Sequence, residues 1–203
     1  MEDGFTDLLI KVAETGIDRI RFYSASPRDY SESTIQAMLD YPSIMPALHL
    51  PVQSGSNSVL RRMARGYTIE EYKEVYDRLK SRIPDITFPT DLIVGFPGET
   101  DEEFRETLDL VDYCKFDNAY SFMYSPREGT PAAKMENQIS DEVKKARLKE
   151  LNEHITHWAR YNNEKYRDRV VEVLCEGKSK KDDTVFSGYS RENKLVNFTS
   201  ESD

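Results

Sequence analysis

Apolar positions in this chain run at two periods, and the switch between them marks its elements. Residues 86–94 hold Ile86, Phe88, Leu92, Ile93 and Val94, a run of strand length with little alternation toward its end. That pattern predicts a strand buried on both faces, as in a helix-covered parallel sheet. Gly95-Phe96-Pro97-Gly98 then breaks the strand, because two glycines and a proline supply backbone angles that other residues resist. Thr100 with Glu103 three residues later reads as a capping box, and Asp101 and Glu102 suit the positive end of a helix. Phe104, Leu108, Val111 and Cys114 fall on the inner face of that helix.

The same unit recurs around this stretch. Phe5, Leu8, Leu9, Val12 and Ala13 are spaced for a helix ending near Gly16, and residues 17–24 alternate like a strand. A helix is predicted over 31–41, with Ile35, Met38 and Leu39 inward and Pro42 stopping it. Residues 47–52 read as a strand ending in Gln53-Ser54-Gly55-Ser56, followed by a short helix at 57–63. Thr68 and Glu71 form a second capping box, opening a helix whose stripe is Tyr72, Val75, Tyr76 and Leu79. A fourth strand, 116–124, is closed by the turn formers of 125–131. Strand, polar turn and helix thus repeat at roughly thirty- to forty-residue intervals, the signature of βα units and a parallel sheet. Four such units do not close an eight-stranded barrel. An open α/β sheet and a piece of a partial (β/α) barrel both satisfy the pattern, and the opening helix with no strand before it favours the piece.

From Ser140 a long amphipathic helix is predicted to about residue 166, with Leu148, Leu151, Ile155 and Trp158 on one stripe. After it the character changes to short β runs at 170–174, 184–187 and 195–198 with Gly and Lys/Asp turns, a small antiparallel module with too few strands to shut a barrel. The expected division is 1–139 for the βα part, 140–166 for a connecting helix and 167–203 for the β module.

Composition narrows the class. The net charge of −9 argues against non-specific coating of nucleic acid, although a local basic patch can still bind it. No apolar run approaches membrane-spanning length, and the N-terminus is acidic and then amphipathic, unlike a secretory leader. Two distant cysteines, Cys114 and Cys175, make no disulfide framework, so a reducing cytoplasm is expected and the sequon Asn197-Phe198-Thr199 reads as a surface turn. A P-loop, a GxGxxG fingerprint and a GxSxG elbow are all missing, which removes support for nucleotide hydrolysis, Rossmann redox chemistry and serine hydrolysis.

Parallel neighbours would gather their C-terminal ends into one rim. Ser24 and Ser26 would meet Gln53, Ser54 and Gly55, then Gly95, Gly98 and Glu99, then Tyr124, Ser125 and Arg127. Singly these are ordinary turn residues; together they make a polar, glycine-containing rim with one cation, suited to a polar, anionic ligand. Asp91 sits inside the apolar strand and must be hydrogen-bonded, either to a ligand hydroxyl or to a neighbouring loop. Glu99 can read a ligand amine or simply serve the dipole of the next helix. His49 reads as a packed core histidine, and His154 and His157 as surface or packing residues rather than metal ligands. In the β module Lys178, Lys180 and Lys181 form a basic tip, with Arg191 and Lys194 on the next turn and Phe186, Tyr189 and Phe198 among them. Such interleaving can hold RNA by phosphate contact and stacking, or be a solvated turn diluted by Asp182, Asp183 and Glu192.

Four ordered stretches, HLPVQSGSNSVLRRMARGYT, TDLIVGFPGET, FDNAYSFMYSPREGTPAA and VLCEGKSKKDDTVFSGYSRENKLVNF, resemble the radical-SAM methylthiotransferases. The serine-glycine form of QSGS and the SPREGTPAA segment resemble the tRNA-modifying branch more than the ribosomal-protein one. The resemblance implies a partial (β/α)6 barrel of radical-SAM type, here incomplete, followed by the start of a TRAM-like RNA-binding β domain. It implies S-adenosylmethionine and two [4Fe-4S] clusters as cofactors, and the anticodon stem-loop of tRNA as partner. The implied reaction adds a methylthio group to C2 of N6-isopentenyladenosine beside the anticodon. The implied cofactor-binding residues are Gln53, Ser54, Asp91, Gly95 and Arg127, and the implied RNA-binding residues Lys178, Lys180, Lys181, Arg191 and Lys194. The family's CxxxCxxC motif would lie upstream of Met1, and neither cysteine matches a ligand position. The expectation is that these residues alone are inactive and that an exposed barrel edge promotes self-association. An RNA-binding module without activity and a cluster-free βα-barrel lyase are the rival readings.

Overall fold

The computed structural model describes residues 4–23, 26–83 and 85–200. α1 (Gly4–Ala13) buries Leu9 and Ala13 but leaves Phe5 and Leu8 exposed, so the inward stripe is narrower than the spacing suggests. α2 (Glu32–Asp40) is N-capped by Ser31 and buries Ile35 and Met38; Leu39, expected inward, is exposed. α3 (Asn57–Arg62) and α4 (Ile69–Arg82) follow, the second opening on the predicted Thr68–Glu71 capping box. β1 (Pro89–Val94) leads into α5 (Asp101–Cys114) through the Thr100–Glu103 box, and β2 (Asn118–Met123) pairs with β1 in parallel from Pro89↔Asn118 to Val94↔Met123. α6 (Asp141–Glu164) is capped by Ser140.

The two expected strands before β1 are present as extended segments rather than continuous ladders. Isolated parallel bridges join Ile20 to Ile44, Tyr23 to His49, Ala47 to Thr87 and Gln53 to Leu92. Prolines explain the interruptions. Thr87 N–H donates to the Pro46 carbonyl, and Leu48 and Leu50 donate to the Thr87 and Pro89 carbonyls, but Pro51 and Pro89 have no N–H to give. Thr90 fills part of the gap: its Oγ1 donates to the Leu50 carbonyl at 2.7 Å and accepts from Val52 N–H at 3.2 Å. The order across the sheet is therefore 17–23, 44–53, β1, β2, all parallel.

Helices cover one face of this sheet. Leu48, Leu50, Val52, Leu92 and Val94 join Tyr72, Leu79, Leu108, Val111 and Leu151 in one continuous apolar cluster. Buried Tyr72 keeps its hydroxyl satisfied by donating to the Leu50 carbonyl at 2.9 Å. The other face is open, so burial alternates along β1: Thr90, Leu92 and Val94 are buried, while Asp91 and Ile93 are only partly covered. β1 is thus not buried on both faces, because no helix among the described residues covers its second side.

The β module is a three-stranded antiparallel sheet of β3 (Val173–Lys178), β4 (Phe186–Ser190) and β5 (Leu195–Phe198). β3 starts later than the valine run implies: Val170 is fully exposed and outside the strand. No helix among the described residues is long and apolar enough to cross a membrane.

Candidate functional site

The parallel register delivers the strand ends to one edge. Gln53 donates from its backbone to the Asp91 carbonyl at 2.8 Å and accepts from Ile93 N–H at 2.9 Å, while Tyr124 N–H donates to the Val94 carbonyl at 2.8 Å. Gln53, Gly95 and Tyr124 therefore share one rim, as the βα repeat predicts. Gln53 lies in the left-handed region at φ 73°, where the chain leaves the sheet. Ser24 falls outside the described residues, and Ser26 closes a local turn by accepting from Arg28 N–H.

Several rim residues are turned into the protein rather than toward a ligand. Ser54 is fully buried, its Oγ 3.3 Å from Thr107 Oγ1 on α5 and accepting from Ser56 N–H. Gly55 donates to Thr107 Oγ1 at 2.9 Å, and a Cβ there would run into the Glu106 backbone. Gly95, at φ 71°, packs its Cα on the Lys144 side chain of α6 and gives its N–H to Glu99 Oε2 at 2.7 Å. Gly98 donates to the Asn137 carbonyl at 2.8 Å. Glu99 does more than serve the dipole of α5. It is buried against Arg147 of α6, Oε2 to Nη1 2.7 Å, and the second guanidinium nitrogen reaches Asp101. Desolvation raises the Glu99 pKa, opposed by its bonds to Gly95 N–H and Arg147. Tyr124 stacks edge-on with Phe96, and its hydroxyl is buried with no partner among the described residues. Arg127 is exposed beyond the rim, its carbonyl closing the turn to Thr130.

The open face below the rim carries side chains that the rim argument missed. Asp91 is not buried: its side chain is 28% exposed and its Oδ1 stands 3.3 Å from His49 Nε2. His49 is consequently not a core histidine but part of this open face, with the Tyr23 ring edge-on to it at 5.7 Å. Tyr120, paired with Asp91 across the sheet, is 54% exposed, and Tyr23 65%. With Arg21 they line a hollow of about 300 Å³. Strict two-residue alternation identifies them: Arg21 and Tyr23, His49, Asp91, and Asn118 and Tyr120 stand opposite the apolar positions that face the helices.

The basic residues of the β module divide. Lys178, Lys180 and Lys181 are exposed at the β3–β4 connection. Arg191 and Lys194 do not join them on a free surface: Arg191 donates to the Pro42 carbonyl, and Lys194 pairs with Asp117 at 2.8 Å, its side chain 16% exposed. His154 holds Asp112 at 2.9 Å, and His157 packs on Trp158.

Residues 1–111 match the family model described as Radical SAM superfamily. The chain belongs to that family. Curated relatives of this radical SAM chain include the tRNA-2-methylthio-N(6)-dimethylallyladenosine synthases of Staphylococcus haemolyticus, 47% identical over 98% of the chain, and Bacillus cytotoxicus, 48% identical over 98%. The chain spans 38% and 39% of their lengths. Among solved structures it shares its fold with coproporphyrinogen III oxidase from Escherichia coli, at TM-score 0.60, 19% identity and coverage of 78% of this chain and 38% of that one. The archaeal Methanocaldococcus infernus Elp3 gives TM-score 0.50 and 14% identity, covering 84% of this chain and 54% of that one. The radical SAM assignment agrees with the geometry above: a parallel sheet with one face under helices and a hollow on the other.

Proposed function

We propose that this chain is part of a tRNA-modifying radical SAM methylthiotransferase, which adds a methylthio group to C2 of N6-isopentenyladenosine beside the anticodon. The observation that carries this reading is the 47–48% identity to synthases named for that product, sustained over 95–98% of the chain. On this reading residues 1–139 are the later part of a partial (β/α)6 barrel, 140–166 a joining helix, and 167–203 the start of a TRAM-like RNA-binding domain. The exposed β2 side chains Tyr120, Phe122 and Met123 support self-association through the barrel edge.

S-adenosylmethionine, bound with a [4Fe-4S] cluster, supplies the radical chemistry of this class, and the protein's part is to bind, orient and exclude water. Two clusters are proposed for the whole enzyme. The residues here do not fit a cluster site: thiolates are needed, Cys114 is fully buried at the end of α5, and Cys175 is alone on β3. Among the described residues no three His, Cys, Asp or Glu side chains group to hold a metal. The ligands are therefore proposed to come from outside these residues, and these residues alone to be inactive. For S-adenosylmethionine the best-placed groups are Gln53 at the strand end and the partly exposed carboxylate of Asp91. Ser54, through its Oγ, and Gly95, through its backbone, act by shaping the two turns, and Arg127 stands at the outer edge for cofactor or RNA phosphate. Lys178, Lys180 and Lys181 are proposed to contact the anticodon stem-loop, with Arg191 and Lys194 contributing only by seating the module.

Nucleoside mass spectrometry of tRNA tests the assignment. Disrupting the full-length gene is expected to abolish the methylthio nucleoside and accumulate N6-isopentenyladenosine, with restoration by the wild-type gene but not by Asp91→Ala. An unchanged nucleoside profile on disruption overturns it.

A further inference from the structure

The connection between β4 and β5 is four residues long, and each of the four reaches a different strand of the parallel sheet. Arg191 donates to the Pro42 carbonyl, just ahead of the second segment. The Glu192 carbonyl accepts from Thr87 Oγ1 at 2.7 Å, just ahead of β1. Asn193 Oδ1 accepts from Arg21 Nη1 at 2.8 Å in the first segment. Lys194 Nζ meets Asp117 Oδ1 at 2.8 Å before β2, while Asp117 Oδ2 accepts from Phe88 N–H. All four contacts lie toward the N-terminal ends of the strands, opposite the rim of Gln53, Gly95 and Tyr124. Outside the turn, Arg19 adds a brace, giving one guanidinium nitrogen to the Tyr189 carbonyl and the other to Glu172, both at 2.7 Å.

The turn is built stiffly enough to act as a template. Ser190 N–H donates to the Lys194 carbonyl, Asn193 N–H to the Ser190 carbonyl, and Ser190 Oγ accepts from Lys194 N–H. Asn193 sits at φ 59°, a conformation asparagine tolerates better than most residues. From Asn193 a relay of contacts runs up the open face. Arg21 Nη2 donates to the Tyr23 hydroxyl at 2.7 Å, the Tyr23 ring packs on His49, and His49 faces Asp91. Glu192, Asn193 and Lys194 line the same hollow as Tyr23, His49 and Asp91.

We propose that the β4–β5 turn of the C-terminal module is the floor of the sheet's hollow, and that Asn193, acting through Arg21, is a positioning residue for Tyr23 and thereby for His49 beside Asp91. The β module then sets the side-chain layer beneath the rim, rather than hanging from the barrel as a tethered appendage. This inference goes beyond the proposed activity and does not depend on it.

Proton NMR of the imidazoles tests it, because the chain has only three histidines. His49→Gln assigns the resonance, and Tyr23→Leu gives its position once the aromatic neighbour is gone. Asn193→Gly removes the acceptor while favouring the positive φ, so the turn is kept. It is expected to move the His49 ring protons toward their Tyr23→Leu position, as is Arg21→Met. Asn193→Asp, which keeps an acceptor for Arg21, is expected to hold the wild-type position. The His154 resonance, fixed by Asp112 between α6 and α5, reports that each variant remains folded. A His49 signal unmoved in Asn193→Gly but moved in Tyr23→Leu overturns the proposal, as does one identical in wild type and Tyr23→Leu.

Discussion

Arg147 and Glu99 lie 48 residues apart in sequence and bury opposite charges 2.7 Å from each other, beneath the turn that ends β1. Glu99 in turn accepts from Gly95 N–H, so the pair ties α6, the Gly95–Gly98 turn and the start of α5 into one knot. A buried pair contributes little against an apolar isostere, but removing one partner strands the other charge.

Arg147→Met is therefore expected to cost about 3 kcal/mol in urea unfolding at neutral pH, and Arg147→Met/Glu99→Gln to recover a large part of it. The deficit should depend on pH. Burial already raises the Glu99 pKa with Arg147 present, and removing the guanidinium raises it further. A carboxyl whose folded pKa exceeds its unfolded one binds its proton more tightly when folded, so the penalty grows as pH rises through the folded value. The gap between variant and wild type should shrink toward acid pH; a constant gap refutes the stranded-charge account.

Glu103 gives the opposite sign. Its bidentate bonds to Arg62, at 2.7 and 2.9 Å, and its capping bond to Thr100 N–H hold its carboxyl at about 2. Stability from a depressed carboxyl is present above its unfolded pKa and is lost as pH falls through the folded one. Glu103→Gln should cost about 2 kcal/mol at pH 7 and flatten the stability profile between the ordinary carboxylate range and about 2. Denaturant midpoints across that range measure it.

Two glycines should respond differently to alanine. At Gly55 a Cβ collides with α5 backbone at Glu106 and Thr107, which cannot yield without moving the helix, so Gly55→Ala should cost about 3 kcal/mol. Gly129 has open space around it and only its φ of 84° to oppose a side chain, so Gly129→Ala should cost about 1 kcal/mol. Thermal unfolding of the two variants ranks them.

The two thiols should separate cleanly. Burial pushes the Cys114 thiol far up and closes it to reagents, whereas Cys175 is exposed. Titration with an aromatic disulfide should count one thiol in the native chain and two in denaturant.

What could be read from the chain was what depends on near neighbours. The capping boxes at Thr68 and Thr100, the apolar stripes of α4 and α5 and the parallel repeat follow from spacings of a few residues. The shared rim followed from topology alone, since parallel strands with helical crossovers must bring like ends together. The breaks in the ladder were present in the sequence as Pro51 and Pro89, but their effect depended on which strand each proline faced.

The direction of individual side chains belonged to the tertiary structure. Asp91 and His49 stand in strands that look buried in one dimension, yet they lie on the sheet face that no helix among the described residues covers, and there they line the hollow. Ser54 and Gly95 carry the composition of ligand-binding turns, yet α5 and α6 claim them. Lys194 looks like one more cation of a basic tip until Asp117, just ahead of β2, takes it. Periodicity fixes which residues share a face, because it is a property of the local backbone. Which face meets another element is decided by contacts between residues tens or hundreds of positions apart, and no local spacing encodes those.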